Sequence, residues 1–519
     1  MAGPGSFQPG FCRFLSLADE MILAVIERVD QSEDLCTLAR TCGRFQALVE
    51  PYIYRSVLVR TGANAICLAT ALDRRPSRAL EIQHFEVRYI HKVVVDDTGI
   101  VQSDNESGIE SIDRILPHLR NLRHLTIESP CINNNPWRGD EMIPWRSGCR
   151  IRYTPLFRAA NRATSLEVHS NGPLLFNKLQ TVVLHTHGNT QRFELGDDAV
   201  IFLHPTLQNL TISCSDITTR MPLPPAIDNI EKTTSLRSLT FIECNINAIA
   251  LGIILRYPRA LKEIDLGERI HHFHESPTKP LVHYDREFMY ALYQQHESLE
   301  YIRHVGRRRW RLDPSQLGPI TLRDFKSLRC LALDPKSILT THITTNGAPK
   351  SLETLRLFSD YVHCFNPQAR SLPHRGRAGW KELVKITDKM RHVRQVDIVL
   401  AQTFADGILT SRGYKMEDLH RIWQAKERRQ DVYRFAFVLK DQGRSFKLYA
   451  EHFQTGEIFI PPFLYGEETP VEHVIYDSEE PYVFNTPSRQ KYQREADQND
   501  RGFAENETED EVIVLGLTG

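Results

Sequence analysis

Residues 236–246 read LRSLTFIECNI, a string of the form Leu-x-x-Leu-x-Leu-x-x-Cys-x-Ile with Phe241 at the third apolar site. Side chains alternate across an extended strand, so Leu239 and Phe241 point to one face and their neighbours to the other. The string recurs as LRHLTI (122–127), LQTVVL (179–184), LQNLTI (207–212), LKEIDL (261–266), LRCLAL (328–333), LETLRL (352–357) and VRQVDI (393–398). A degraded copy, LEYIRH, starts at Leu299. The starts at 207, 236, 261, 299, 328 and 352 lie 29, 25, 38, 29 and 24 residues apart. Ten positions after the first residue of a unit stand Ile132, Ile217, Ile246, Ile338 and Val362. Cys244 occupies the site where the chain bends out of the strand, a buried and structural place for a thiol rather than a reactive one.

The period and pattern are those of leucine-rich repeats, roughly 20–29 residues per unit. Helical return segments fill the intervals. Ile112, Ile115, Leu116 and Leu119 make one stripe, which Pro117 should break or kink. Phe288, Ala291 and Leu292 make another, and Trp380, Leu383, Val384 and Thr387 a third. Strand, turn, helix and strand at this period predict an α/β fold over 61–400, a curved leucine-rich-repeat-like solenoid with a parallel sheet. Strands stack at about 4.8 Å, so the sheet runs on the order of 40 Å and offers a concave face to a protein partner.

Upstream, residues 15–58 carry three short helical patterns. Ser16 is placed to cap the first, whose stripe is Ile22, Ile26 and Val29. Ser32 is placed to cap the second, with Leu35, Leu38 and Ala39 on one face. Phe45, Leu48, Val49 and Tyr52 line the third. A unit this small buries little surface and needs a staple, a metal or a partner. No paired cysteines supply a staple.

This segment (13–60) resembles the F-box, and more narrowly that of filamentous-fungal proteins. The resemblance rests on Leu17, Asp19, Glu20, Ile22, Leu23, Ile26, Asp34 and Leu35, and on LARTCGRFQALVEPYIYRSV (38–57). Ala18 stands where the family usually has Pro, and Phe45 where many animal members have Trp. The resemblance implies docking to the Skp adaptor, and through it to cullin, by Leu17, Ile22, Ile26, Leu35, Leu38, Cys42 and Phe45. It implies a substrate-recognition subunit of an SCF-type ubiquitin ligase whose repeats hold the target protein.

Three insertions interrupt the period, at 129–153, 268–287 and 364–382. Insertions of this kind map to loops on one face, often the binding face. Trp137, Trp145 and Arg146 in the first are candidate target contacts, although tryptophans in a loop also serve to pack it down. Arg307, Arg308 and Arg309, in RRRWR (307–311), could receive a phosphorylated target, act as an address signal or stay solvated. Residues 401–484 read as a C-terminal cap in which 430–476 change character: DVYRFAFVL, RSFKLYAEHF and GEIFIPPFLY alternate like strands and either cap the last repeat or form a β appendage. Residues 1–12 read as a flexible start and 485–519 as a disordered acidic tail.

Composition removes several functions. Lys plus Arg (64) balance Asp plus Glu (65), so no global charge draws nucleic acid or an anionic membrane. No apolar run approaches the length of a membrane span, and the start lacks a signal-peptide pattern. Ten cysteines without a C-x-x-C pair point to free thiols and a reducing compartment, cytoplasm or nucleus. HHFH (271–274) lacks metal-ligand spacing and reads as a solvated loop. Phosphate-binding, nucleophile-elbow and zinc-protease motifs are absent, so no enzyme, no cofactor and no metal is expected. The alternatives to the ligase subunit are a scaffold that binds the adaptor outside ubiquitination and a plain repeat scaffold with a helical cap.

Overall fold

The computed structural model describes residues 16–29, 31–88, 93–96, 99–102, 107–128, 151, 153–161, 175–185, 193–213, 215–221, 223, 231–268, 285–305, 318–334, 337–358, 383–384, 386–400, 426–452 and 471–480. It divides into two compact units, Met1–Leu299 and Glu300–Gly519, each α/β with a mostly parallel sheet. The division falls inside the repeat run.

The first unit opens with helices α1 (Asp19–Ile26), α2 (Ser32–Thr41) and α3 (Gly43–Arg55), and α3 runs directly into strand β1 (Ser56–Val59). There follow α4 (Gly62–Arg74), β2 (His84–Arg88), the antiparallel hairpin β3 (Val93–Asp96) and β4 (Gly99–Gln102), α5 (Ile112–Ile115), β5 (His124–Glu128) and α6 (Thr154–Ala160). The unit continues with β6 (Thr181–His185), β7 (Phe193–Glu194), β8 (Asn209–Ser213), β9 (Ser215–Ile217), β10 (Ser238–Ile246), α7 (Ala248–Ile254), β11 (Glu263–Glu268) and α8 (Asp285–Tyr293). Its main sheet has the order β1-β2-β5-β6-β8-β10-β11, parallel throughout. Short β9 pairs with the far end of β10 and with β7.

The second unit holds β12 (Tyr301–Val305), β13 (Cys330–Leu333), α9 (Ile338–Asn346), β14 (Thr354–Phe358), β15 (Gln395–Leu400), α10 (Lys426–Asp441), β16 (Ser445–His452) and β17 (Val471–Asp477). Strands β12 to β16 pair in parallel and in chain order. Strand β17 returns antiparallel to β16.

Each recurring string supplies one rung. Leu239 lies opposite Leu210 and Ile264, and Phe241 opposite Ile212 and Leu266. All six are buried. Burying each such side chain is worth about 1.5–3 kcal/mol, so the rows of Leu-x-Leu pairs hold the sheet to its return segments. The backbone repeats with the same rhythm. The Gln180 carbonyl accepts from the amides of Gln208 and Asn209 at 2.8 and 2.9 Å, and the Arg329 carbonyl from Glu353 and Thr354 at 2.8 and 3.0 Å.

Polar side chains just ahead of a unit's first apolar residue satisfy the carbonyls of the preceding one. The Thr206 hydroxyl donates to the Leu179 carbonyl and that of Ser298 to Leu261, both at 2.8 Å. Gln295, itself buried, donates to the carbonyls of Leu255 and Pro258 at 2.7 and 2.8 Å and accepts from the Leu261 amide at 3.0 Å. Cys244 is buried, with its thiol 3.4 Å from the carbonyls of Ile212 and of Ile242, which is the expected structural place. Ile217, Ile246 and Ile338 are buried as well; Ile132 and Val362 lie outside the described residues.

Several expectations change. DVYRFAFVL (431–439) lies in α10, not in a strand. Val432, Phe435, Ala436 and Leu439 also stand at i, i+3, i+4 and i+7, and these are the buried positions. Strand β16, in RSFKLYAEHF, extends the parallel ladder beyond β15. Strands β1 and β2 add rungs ahead of the first recognised string; Ile82, Phe85 and Val87 keep the repeat spacing with no leucine among them, and all are buried. Ser16 and Ser32 do not cap: Ala18 and Gln31 hold the N-cap positions, neither with a side-chain cap, and Ser32 is already inside α2. Pro117 ends α5, which tightens into a 3-10 turn over Leu116–His118.

Two stability outcomes follow. Gln295→Leu removes two donors and one acceptor from buried backbone groups, and should cost about 2–4 kcal/mol, read as a lower urea midpoint. His204 is buried, and burial lowers its imidazole from the ordinary 6.5 to about 4. The unfolded chain therefore binds a proton below 6.5 that the folded chain refuses until about 4. The stability tied to neutral His204, about 3 kcal/mol, is complete above the higher value and drains away as pH falls toward the lower one. His204→Gln should flatten that part of the stability–pH curve measured by thermal melts.

Candidate functional site

The three N-terminal helices enclose a core of their own. Ile22, Ile26, Leu35, Phe45 and Val49 are buried together, with Leu17, Leu23, Val29, Leu38, Ala39, Cys42, Leu48, Tyr52 and Ile53 packed around them. Polar contacts fasten α1 to α3 near both ends. Arg44 donates to an Asp19 carboxylate oxygen at 2.6 and 3.0 Å and to the Leu17 carbonyl at 2.7 Å. The Tyr52 hydroxyl donates to Glu27 at 3.1 Å.

Of the residues assigned to adaptor docking by resemblance, Ile22, Ile26, Leu35 and Phe45 lie inside this core, while Leu17, Leu38 and Cys42 are half-buried at its edge. The apolar side chains that α1 turns outward are Met21 and Val25, 56% and 46% exposed, with exposed Ala18. They fall at i, i+3 and i+7, on a stripe that flanks the one holding Ile22 and Ile26, about 100° around the helix from it. Reading one stripe per helix missed them; the usable signal is that α1 has apolar residues on two faces.

Helix α3 joins this trio to the start of the ladder. Glu50 accepts from Arg75 at 2.5 Å and from Arg78 at 2.6 Å. The Arg78 guanidinium also stacks on Tyr54 at 5.1 Å from the ring centre. Glu50 is only 13% exposed, so these two arginines replace the water its carboxylate has lost.

A second set of chemistry-bearing residues lies on the second unit's sheet. Arg303, Ala332, Arg356, Asp397 and Lys447 are in lateral register across β12 to β16, on positions that alternate with the buried Leu-x-Leu pairs. Arg303 stacks on Phe358 at 5.0 Å and Arg356 on Tyr449 at 5.4 Å. One Arg356 terminal nitrogen, Nη2, donates to both Glu472 oxygens, at 2.8 and 2.7 Å. Arg356 Nε is 3.6 Å from Asp397 Oδ2, and Lys447 pairs with Asp477 at 2.9 Å. Burial pushes the Asp397 carboxyl above its ordinary range, against the opposing pull of the Gln395 amide and Arg356. The equivalent row of the first unit runs Leu58, Glu86, Thr126, Val183, Thr211, Thr240 and Asp265, neutral from Thr126 to Thr240 and acidic at Glu86 and Asp265. Aligning the strings by register finds this charged row; reading each alone does not.

The proposed target contacts Trp137, Trp145, Arg146, Arg307, Arg308 and Arg309, and the histidines at 271, 272 and 274, lie outside the described residues. Among the described residues no group of three or more His, Cys, Asp or Glu could hold a metal ion, and no helix is long and apolar enough to cross a membrane. No known family model and no curated protein matches the chain.

Glu50→Gln leaves Arg75 and Arg78 without their carboxylate. It should loosen the trio by about 1–2 kcal/mol, the exposed share of the pairing being discounted. The expected readout is faster limited proteolysis between α3 and α4, with the melting of the sheet unchanged.

Proposed function

We propose that this chain is a substrate-recognition subunit of an SCF-type ubiquitin ligase. In this reading the trio is an F-box that docks the Skp adaptor, and through it cullin. The sheet units form a leucine-rich-repeat-like solenoid that holds a target protein. The chain supplies position and does no bond-making, in the cytoplasm or nucleus.

The observation that carries this reading is the closed core of the trio together with the exposed Ala18–Met21–Val25 stripe. A helical cap serving only its own repeats would spend its apolar faces on them. Here α1 buries Ile22 and Ile26 against α2 and α3, yet leaves a second apolar face in solvent. Met21 and Val25 are already about half covered, so a partner that buries the rest gains about 1–1.5 kcal/mol from each. The long parallel ladder behind it supports a target platform, since stacked repeats create extended binding faces.

The test is co-purification of the full-length chain with the Skp adaptor. Val25→Asp, alone or with Met21→Asp, should cut recovery of the adaptor by at least about tenfold. These residues are exposed, so the far-ultraviolet circular dichroism spectrum should not change. Leu35→Asp is a poor probe, because Leu35 belongs to the trio's core and the change would unfold the surface it is meant to report on. Adaptor recovery at the unmodified level from a folded double variant would remove the F-box reading.

A further inference from the structure

We propose that Arg356 is the seat for a carboxylate side chain of the bound target, and that Glu472 fills this seat when no target is present. The proposal rests on the target-platform reading above.

Arg356 sits in the middle of the row Arg303, Ala332, Arg356, Asp397 and Lys447. Its guanidinium lies over the Tyr449 ring, 5.4 Å from the ring centre, which limits where the fork can swing. A guanidinium held this way suits a side-on carboxylate, with two oxygens meeting two different nitrogens. Glu472 does not use that geometry. Both of its oxygens converge on Nη2 alone. Arg356 Nε is buried and has no hydrogen-bond acceptor among the described residues; Asp397, at 3.6 Å, contributes charge from beyond hydrogen-bond reach. A buried donor left without an acceptor is destabilising, because its water was removed and nothing replaced it. An incoming carboxylate that takes both Nε and Nη2 recovers that loss, and Glu472 cannot do so in its present pose.

Glu472 is also the group best placed to leave. It comes from β17, which among the described residues pairs with β16 alone, and its side chain is 34% exposed against 22% for Arg356. Exchanging Glu472 for a target Glu or Asp keeps the local charge constant. A phosphate ester would bring roughly one further negative charge next to Asp397. The site therefore selects a carboxylate over a phosphate.

The experiment uses the full chain and three pools of synthetic extended peptides, randomised except for a central Glu, Gln or phosphoserine. Retention on the immobilised protein is the readout. The unmodified chain should retain the Glu pool over the Gln pool. Glu472→Gln should raise Glu-pool retention by about tenfold, because the competitor loses its charge. Arg356→Lys keeps the charge and the fold but lacks the fork, and should abolish the preference for Glu. Equal retention of the Glu and Gln pools by the Glu472→Gln protein would overturn the proposal, as would a phosphoserine pool that outcompetes the Glu pool. Adaptor co-purification is measured separately through α1, so failure of the F-box reading and failure of this one are distinguishable.

Discussion

A parallel strand cannot pair with the strand that follows it until the chain has crossed back over the sheet, and this topological demand organises both units. Each crossover must bury something on the way. The Leu-x-Leu pairs meet that demand on one face, and the buried ends of the return segments meet it on the other. The crossover also leaves carbonyls that the ladder itself does not use. Thr206, Ser298 and Gln295 satisfy several of them from the position just before or near the next unit's first leucine. The recurring strings are thus only half of the pattern. A small polar residue ahead of the string is the other half, and it locks one turn to the next.

How much of this was legible follows from which constraints are local. A rung is declared by three apolar residues at fixed spacing, so the nine strings from Leu122 to Ile398 all mark strands in the ladder. The β2 rung escaped because Ile82, Phe85 and Val87 satisfy the spacing without a leucine, and shape tolerance in a core is wider than the consensus. DVYRFAFVL escaped for the opposite reason. Its apolar residues fit a period of two and a period of 3.6 alike, and only the surface it packs on chooses between them. The edge of the trio was the least legible feature. Ile22 and Ile26 form one apolar face of α1, and Ala18, Met21 and Val25 another; which one closes the core depends on α2 and α3, and thus on tertiary contact. Lateral register hid the charged row in the same way. Arg356 and Asp397 are unremarkable within LETLRL and VRQVDI, and become a pair only when the strands lie side by side.

The trio and the ladder are coupled through a small joint. Helix α3 continues without a break into β1, and Glu50 ties it to Arg75 and Arg78 just past α4. On the proposed reading, in which the chain positions one protein relative to another, the joint must be stiff, since angular play at the first strand would grow with distance along the repeats. A half-buried carboxylate shared by two arginines is stiff in a way that an exposed ion pair is not. Breaking it leaves an uncompensated charge, whereas exposed pairs are worth little.

Charge on a repeat face is costly where it is not used. In the first unit the middle of the same row is neutral, Thr126, Val183, Thr211 and Thr240, with acidic groups at its flanks on Glu86 and Asp265. The second unit carries two stacked arginines, a buried aspartate whose carboxyl is pushed up by burial, and a lysine–aspartate pair in the same register positions and beside them. Replacing buried ion pairs with apolar residues of similar volume is often neutral or stabilising, so folding alone gives little reason to keep them. On the proposed reading of this face as a target platform, their value lies in selectivity. A face of threonines accepts many partners weakly, while a fixed guanidinium with an unused donor rejects any partner that cannot bring two oxygens to it.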